Sequence, residues 1–512
     1  MAAMSSKTLD WIDRHLVIVL LAVAWVRIGF LLGNGLDLIG DESYYWDWSR
    51  QPDWCYYSKP PMVAWIIGFS TWLLGDVTWA VRLPTVVLGT AFLWFFHATA
   101  KSFYGARTGA LALLLVLATP INVIANFLMT IDPPLYCFWM MALYFLRRAL
   151  FDGDGSAWWW AGCASAAALL SKQAAVILPI LLLLFLLWDK TRRVYLRRAF
   201  WFYLLPVIVA AVPILYWNAE HDWVMFGHSR GHFGNSAPLS AAKHIQLARD
   251  FLFYQLLFLS PVIFGLVFVN SVRMLRNVRV LSAEQRFLFL FGPALLLATL
   301  LLSLGQKAQG NWPMAFYFTA LIALAEQCAA GKWRRWFKVG ISIGYAMAVL
   351  TYLLPVVLQV LRLQGSDFDP TKRFKNWHEL AAEIHFERLM AQDKLGETFV
   401  VALGHRYLAS QLAFYLPDHP KVYRFEASGR VASQYEVWSG PVEWIGKNAF
   451  IVTKGGEETV PSELKAGFAR MRFLAQIPDP GKQNTFYSIY LGENLQHWPE
   501  SVTRSSDAAT ED

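Results

Sequence analysis

Cysteine is scarce in this chain, four in 512 residues. Cys55 stands in a polar, aromatic stretch and Cys137, Cys163 and Cys328 in apolar runs, so they supply neither a disulfide framework nor a metal-ligand spacing. Charge is scarce as well: 16% of the residues are charged, against the ~25% usual in soluble domains. With 56% hydrophobic residues, that shortage excludes an ordinary soluble protein. No small-residue cleavage site follows the first apolar run, which therefore reads as a membrane span and not as a cleaved signal. Internal repeats are missing too.

What fills the chain is apolar runs close to the ~20 residues that cross a bilayer as a helix. Eleven spans are expected, near 15–32, 78–99, 109–124, 133–146, 157–171, 173–188, 200–217, 251–270, 287–303, 313–328 and 339–361. Basic residues gather in alternate connections: Lys7 and Arg14, Lys101 and Arg107, Arg147 and Arg148, then the clusters 190–198, 273–286 and 332–338. By the positive-inside rule these face the cytoplasm. The net charge of +8 is thus a matter of orientation and not of nucleic-acid binding. An odd number of spans from a cytoplasmic N-terminus places the C-terminal part outside.

The opposite connections hold the chemistry. The first, 33–61, is far longer than the ~4–6 residues of a typical connection. It carries Asp41 and Glu42 ahead of Tyr44 and Tyr45, then Tyr57, Ser58, Lys59, Pro60 and Pro61. It continues into an amphipathic segment, Met62–Leu74, too short to span and expected as a helix along the interface with Trp65 and Trp72 at headgroup level. As a bland alternative, Asp41 and Glu42 cap the helix that follows them; capping leaves the nearby lysine and the tyrosines unexplained. Asp132 is the one charge in the apolar tract between Arg107 and Arg147, so it either faces a polar cavity or caps the next span. Lys172 stands at an outer turn, as a substrate ligand or a snorkelling side chain. Lys307, Gln309, Asn311 and Trp312 form an outer turn suited to an anionic headgroup, and Arg230 follows His221 and His228 on a further outer loop. Those histidines, with His232, have no second cluster, and no metal ligand is assigned.

From Asp367 the composition turns polar. A helical pattern over Trp377–Leu389 and strand patterns at Phe399–Leu403, Lys421–Phe425, Phe450–Lys454, Met471–Ile477 and Phe486–Leu491 predict a soluble α/β domain. The expected domains are 1–362 in the membrane, with 33–77 as the catalytic loop, 363–497 outside, and a disordered tail over 498–512.

These outer-loop residues, Asp41-Glu42-Ser43-Tyr44-Tyr45, Tyr57-Ser58-Lys59-Pro60-Pro61, Asp132-Pro133, Leu170-Ser171-Lys172, Trp217-Asn218 and Asn311-Trp312-Pro313, carry a resemblance. The chain resembles the GT-C fold glycosyltransferases that use polyprenyl-phosphate sugars. It is similar above all to the bacterial branch of the protein mannosyltransferase family and to the lipid A aminoarabinose and galacturonic acid transferases. The resemblance implies a polytopic α-helical enzyme of the bacterial inner membrane whose active site and C-terminal domain face the periplasm. Such an enzyme takes a monosaccharide from a polyprenyl-phosphate donor and transfers it, with inversion, to lipid A, lipopolysaccharide core or another envelope glycan. It implies Asp41 as general base on the acceptor hydroxyl, with Glu42 beside it, and Lys59 as a phosphate contact. Lys307 and Arg230 join Lys59 from their location alone. Asp132 corresponds to a second acidic position that binds acceptor or sugar, and Tyr44, Tyr45, Tyr57, Lys172, Gln309, Asn311 and Trp312 are expected to line the substrate. No cofactor, metal or nucleic acid is implied.

Rival readings are a protein O-glycosyltransferase and a lipid-linked-sugar flippase. Against the flippase, the notable charges gather on one face and not at the midplane. Asp152-Gly153-Asp154 has the spacing of a metal-nucleotide site but no nucleotide-binding domain around it, and reads as a turn.

Overall fold

The computed structural model describes residues 6–231, 241–366, 369–456, 460–480 and 485–499. The chain divides into two compact units, one of Met1–Gly33, Arg82–Leu215 and Phe233–Leu354, the other of Asn34–Val81, Tyr216–His232 and Pro355–Asp512. His232 and most of the polar tail lie outside the described residues.

The first unit is helical. Among the described residues, five helices are long and apolar enough to cross a membrane: Leu16–Gly33, Thr78–Tyr104, Ala199–Glu220, Ala283–Leu302 and Arg334–Val360. Shorter apolar helices include Ala106–Leu117, Gln173–Trp188 and Met314–Ala329, and the helix Asp132–Phe151 runs alongside Ala157–Ser171. Every segment expected as a span is thus helical. Not all are unbroken: the run expected over 109–124 is interrupted at Ala118-Thr119, between the helices Ala106–Leu117 and Pro120–Ala125, and where a single run over 251–270 is expected, the helices Ala242–Leu259 and Pro261–Arg276 meet at 110°. Pro261 cannot donate to the preceding turn, and Ser260 takes a left-handed φ of 74° to redirect the chain. Arg27, a charge inside the first span, is buried and donates to Asn122 Oδ1 at 3.3 Å.

The second unit contains a five-stranded mixed sheet: β1 (Thr398–Leu403), β2 (Val422–Phe425), β3 (Asn448–Lys454), β4 (Phe468–Pro478) and β5 (Phe486–Leu495), in the order β2-β1-β3-β5-β4. β1 is parallel to β2 and β3, while β5 is antiparallel to β3 and β4. β1 and β2 are buried along their whole length, as strands inside a mixed α/β sheet should be. The helices of this unit are α1 (Gly40–Ser49), α2 (Met62–Leu74), α3 (Val224–Gly231), α4 (Trp377–Leu395) and α5 (Arg406–Tyr415), with a single turn, Gln434–Val437, between β2 and β3.

The outer loop and the sheet share this unit because the loop buries polar groups that the sheet's connections satisfy. The Leu38 N–H donates to Tyr415 Oη at 2.6 Å and its carbonyl accepts from Gln411 Nε2 at 2.9 Å. The Tyr57 N–H donates to Gln434 Oε1 at 2.6 Å, and the Gln434 N–H to Tyr44 Oη at 2.6 Å. Tyr435 Oη donates to Asp47 Oδ2 at 2.6 Å. Beneath the turn, Arg424 Nη1 meets Glu436 Oε1 at 2.7 Å, and Ser433 Oγ donates to the other Glu436 oxygen at 2.8 Å.

Burial pushes the Asp47 carboxyl above its ordinary range, against the pull of Arg50 and of the Tyr435 phenol. A carboxylate whose folded value lies above its unfolded one binds more protons when folded, so stability falls as pH rises through that window. Asp47→Asn keeps an oxygen for Tyr435 and removes the buried charge. Thermal unfolding is expected to show a higher midpoint than wild type at pH 7, with the gap closing as the pH approaches the ordinary carboxylate value of ~3.9.

Candidate active site

Asp41 and Glu42 occupy the first turn of α1, and the structure separates their roles. Glu42 is completely buried and its Oε2 accepts from the Ile39 N–H at 3.1 Å, the return bond of a capping arrangement. The carboxylate expected to share the chemistry therefore serves the helix start. Asp41, one residue earlier, is only half-buried, and its Oδ1 accepts from Tyr407 Oη at 2.9 Å.

Tyrosines surround it as the sequence suggests. Tyr44 and Tyr45 are buried and pack together against Trp48. The Arg406 guanidinium lies 5.6 Å from the Tyr44 ring and 5.0 Å from the Tyr407 ring. Although burial works against its charge, the field of Tyr407, Tyr44, Asp41 and Tyr45 leaves Arg406 more firmly cationic than an ordinary arginine. Tyr57 faces His228 of α3 with ring centroids 5.1 Å apart. That contact joins the two segments carrying Lys59, which is half-buried, and Arg230, which is exposed. The Lys59 carbonyl accepts from the Tyr56 N–H at 3.0 Å, which closes the tight turn before Pro60-Pro61. His221 stacks on Trp217 at 4.0 Å, and Trp217 Nε1 donates to Asp53 Oδ2 at 2.7 Å, so both help hold the loop. Burial pushes the Cys55 thiol up to about 12, which keeps it protonated and inert.

The first unit holds the remaining expected residues. Asp132 opens the helix Asp132–Phe151, followed by Pro133 in its first turn. Lys172 Nζ meets Asp132 Oδ1 at 3.0 Å, and Asn311 Nδ2 donates to Asp132 Oδ2 at 2.8 Å. Three residues chosen from separate loops are one network here, and Lys172 is an ion-pair partner, not a snorkelling side chain. Trp312 Nε1 reaches Gln309 Oε1 at 3.2 Å across their turn, where Lys307 and Gln309 are exposed. Asp152 and Asp154 flank Gly153, at φ 71°, in a turn tied to Arg147 and Arg148. Among the described residues, no group of three or more His, Cys, Asp or Glu side chains is disposed to hold a metal ion.

Sequence reasoning missed Arg406 and Tyr407. They sit in a helix whose pattern marks only a buried face, Tyr407 lying 366 residues from Asp41, and no local signal announces them.

Comparison with known proteins agrees with this architecture. The profile of the dolichyl-phosphate-mannose-protein mannosyltransferase family matches residues 58–217. A lipid A galacturonosyltransferase of Rhizobium johnstonii is 28% identical over 452 residues, covering 85% of this chain and 90% of that protein. The crystal structure of ArnT from Cupriavidus metallidurans bound to undecaprenyl phosphate superposes with a TM-score of 0.64 at 18% identity, covering 93% of this chain and 98% of that one. Its apo form gives 0.62 at 16% identity, covering 93% and 97%. These matches bear out the GT-C fold, the glycosyltransferase class and the resemblance read from the sequence.

The Asp132 network yields a direct test. Lys172→Met leaves a largely buried carboxylate without its cation and is expected to cost about 3–5 kcal/mol in denaturant unfolding. Adding Asp132→Asn should return most of that loss; a single variant as stable as wild type would show the pair to be dispensable.

Proposed function

We propose that this membrane glycosyltransferase transfers one monosaccharide from a polyprenyl-phosphate donor to an envelope lipid at the periplasmic face of the bacterial inner membrane, with lipid A the favoured acceptor. The acceptor class is supported by the likeness to a lipid A galacturonosyltransferase along 85% of the chain. The donor class is supported by the fold shared with a protein that binds undecaprenyl phosphate. The observation that carries the mechanism is the division within the carboxylate pair: Glu42 is sealed into the helix start, whereas Asp41 is only half-buried, with its Oδ1 held by the Tyr407 phenol.

Asp41 accepts the proton of the acceptor hydroxyl as that oxygen attacks the anomeric carbon. The bond from that carbon to the phosphate oxygen breaks on the opposite side, so the anomeric configuration inverts. The polyprenyl phosphate leaves as an anion and needs positive charge, not a proton, for which Lys59, Arg230 and Lys307 are the assigned side chains. Asp132, with Lys172 and Asn311, binds hydroxyls of the sugar or acceptor, and Tyr44, Tyr45, Tyr57, Gln309 and Trp312 supply apolar faces and donors for the same substrates. Chemistry of this kind requires no divalent ion.

The test is transfer of labelled sugar from total polyprenyl-phosphate sugars to membrane lipids. Asp41→Asn is expected to lower the rate by about 10²–10⁴-fold while donor binding persists. Equal rates would remove Asp41 from the chemistry, and wild-type protein that moves lipid across the bilayer without transferring sugar would point to a flippase. Transfer is also expected to survive EDTA; complete loss, restored by Mg²⁺ or Mn²⁺, would overturn the metal-free mechanism.

A further inference from the structure

We infer that Tyr407, contributed by the C-terminal part of the chain, is the positioning residue for Asp41: its phenol holds one carboxylate oxygen and so fixes the orientation in which the carboxylate meets the acceptor hydroxyl. The inference rests on the reading of Asp41 as general base. It starts from a weakness of aspartate, whose terminal torsion is broad and lets an unanchored carboxylate sample many orientations. A base, in contrast, must meet the reacting hydroxyl at hydrogen-bond distance and in line.

The geometry removes that freedom. Tyr407 Oη donates to Asp41 Oδ1 at 2.9 Å. The phenol ring is itself immobile: its face lies so close to Gly40 that a Cβ there would stand 2.2 Å from Tyr407 Cγ, and Arg406 and His405 pack on it at 5.0 and 4.2 Å. Gly40 is glycine for this close approach, not for its φ. The helix α5 that carries the ring is anchored at the same place, since Ser410 Oγ meets Ser43 Oγ at 2.9 Å and Gln411 and Tyr415 hold Leu38. Residues 407, 410, 411 and 415 fall on one helix face, and all four address the chain between Leu38 and Ser43.

The chemistry is consistent with the direction of the bond. A phenol donates at neutral pH and a carboxylate oxygen accepts, so the bond constrains the position of Asp41 without taking part in the proton transfer. In the transfer step the acceptor proton passes to the Asp41 carboxylate, the new carbon–oxygen bond forms as the bond from the anomeric carbon to the phosphate oxygen breaks, and Tyr407 keeps its own proton throughout.

The experiment compares the full-length wild type with Asp41→Asn, Tyr407→Phe and Tyr415→Phe in the transfer assay, using total polyprenyl-phosphate sugars as donor, and records the melting midpoint of each. Tyr407→Phe keeps the ring against Gly40 and is expected to lower kcat by about 10–100-fold, as misplacement of a reacting group does. The apparent KM for the donor should change by less than about threefold, because ground-state binding is untouched. Tyr415→Phe removes the same hydroxyl from the same helix, one that accepts from the Leu38 N–H; it should lower the melting midpoint and keep kcat. An unchanged kcat in Tyr407→Phe, or an equal loss in both tyrosine variants, overturns the positioning role. Should Tyr407→Phe not fold, 4-aminophenylalanine and 4-fluorophenylalanine at position 407 offer the same size with and without a donor, and only the first should be active. If Asp41→Asn is inactive and Tyr407→Phe fully active, the base stands and only the positioning role falls. An active Asp41→Asn, or a wild type without transfer, removes both.

Discussion

A buried backbone N–H or carbonyl must find a partner, and that requirement governs the second unit. The stretch from Leu38 to Tyr57 is rich in large rings, and burying those rings takes the surrounding backbone out of water with them. Its own residues satisfy some of the groups so enclosed, as Glu42 does for the Ile39 N–H, but not those of Leu38 and Tyr57. Gln411, Tyr415 and Gln434 do it instead, each with a side-chain atom within hydrogen-bond distance of a loop backbone group. The hydrophobic gain of the aromatic loop and the polar face of α5 are thus two halves of one arrangement, and α1 is rigid because both are present.

Within that arrangement, four carboxylates show how burial and partners set a role. Glu42 is sealed and bonded to a backbone N–H, and serves as a cap. Asp47 is sealed with a phenol and Arg50, and its charge is disfavoured. Asp132 is balanced by a lysine and an asparagine. Asp41 is half-buried and has one oxygen held by a phenol, the environment on which the proposed role as a base draws.

Much of the fold was legible because it rests on local periodicity. All five strands of the sheet and the helix starting at Trp377 are written as alternation or as a 3.6-residue pattern, and Met62–Leu74 keeps the limits its apolar run suggests. The bend at Ser260-Pro261 was missed because hydropathy runs on across it, although the proline was in view. The site was half legible. Asp41, Lys59 and Asp132 stand out as charges where charge is costly, and the meeting of Asp132 with Lys172 and Asn311 follows from their common preference for polar partners. Arg406 and Tyr407 carry no such mark, since an arginine and a tyrosine in a polar domain are ordinary; only the tertiary contact makes them special. The separate duties of Glu42 and Asp41 were likewise invisible, because adjacency in sequence does not say which side chain points into the helix start.

The 366-residue separation between Asp41 and Tyr407 also sets a timetable. At the ribosome's pace of ~5–20 residues per second, about 20–70 s pass between synthesis of the aromatic loop and arrival of the helix that completes it. Throughout that interval the nascent chain holds a loop of tryptophans and tyrosines whose backbone lacks its final partners, a species open to wrong association. A chain cut short before α5 would stay in that state, with its spans already threaded and Asp41 without its phenol partner. For this fold, synthesis of the last domain is the step that turns an inserted polypeptide into an enzyme.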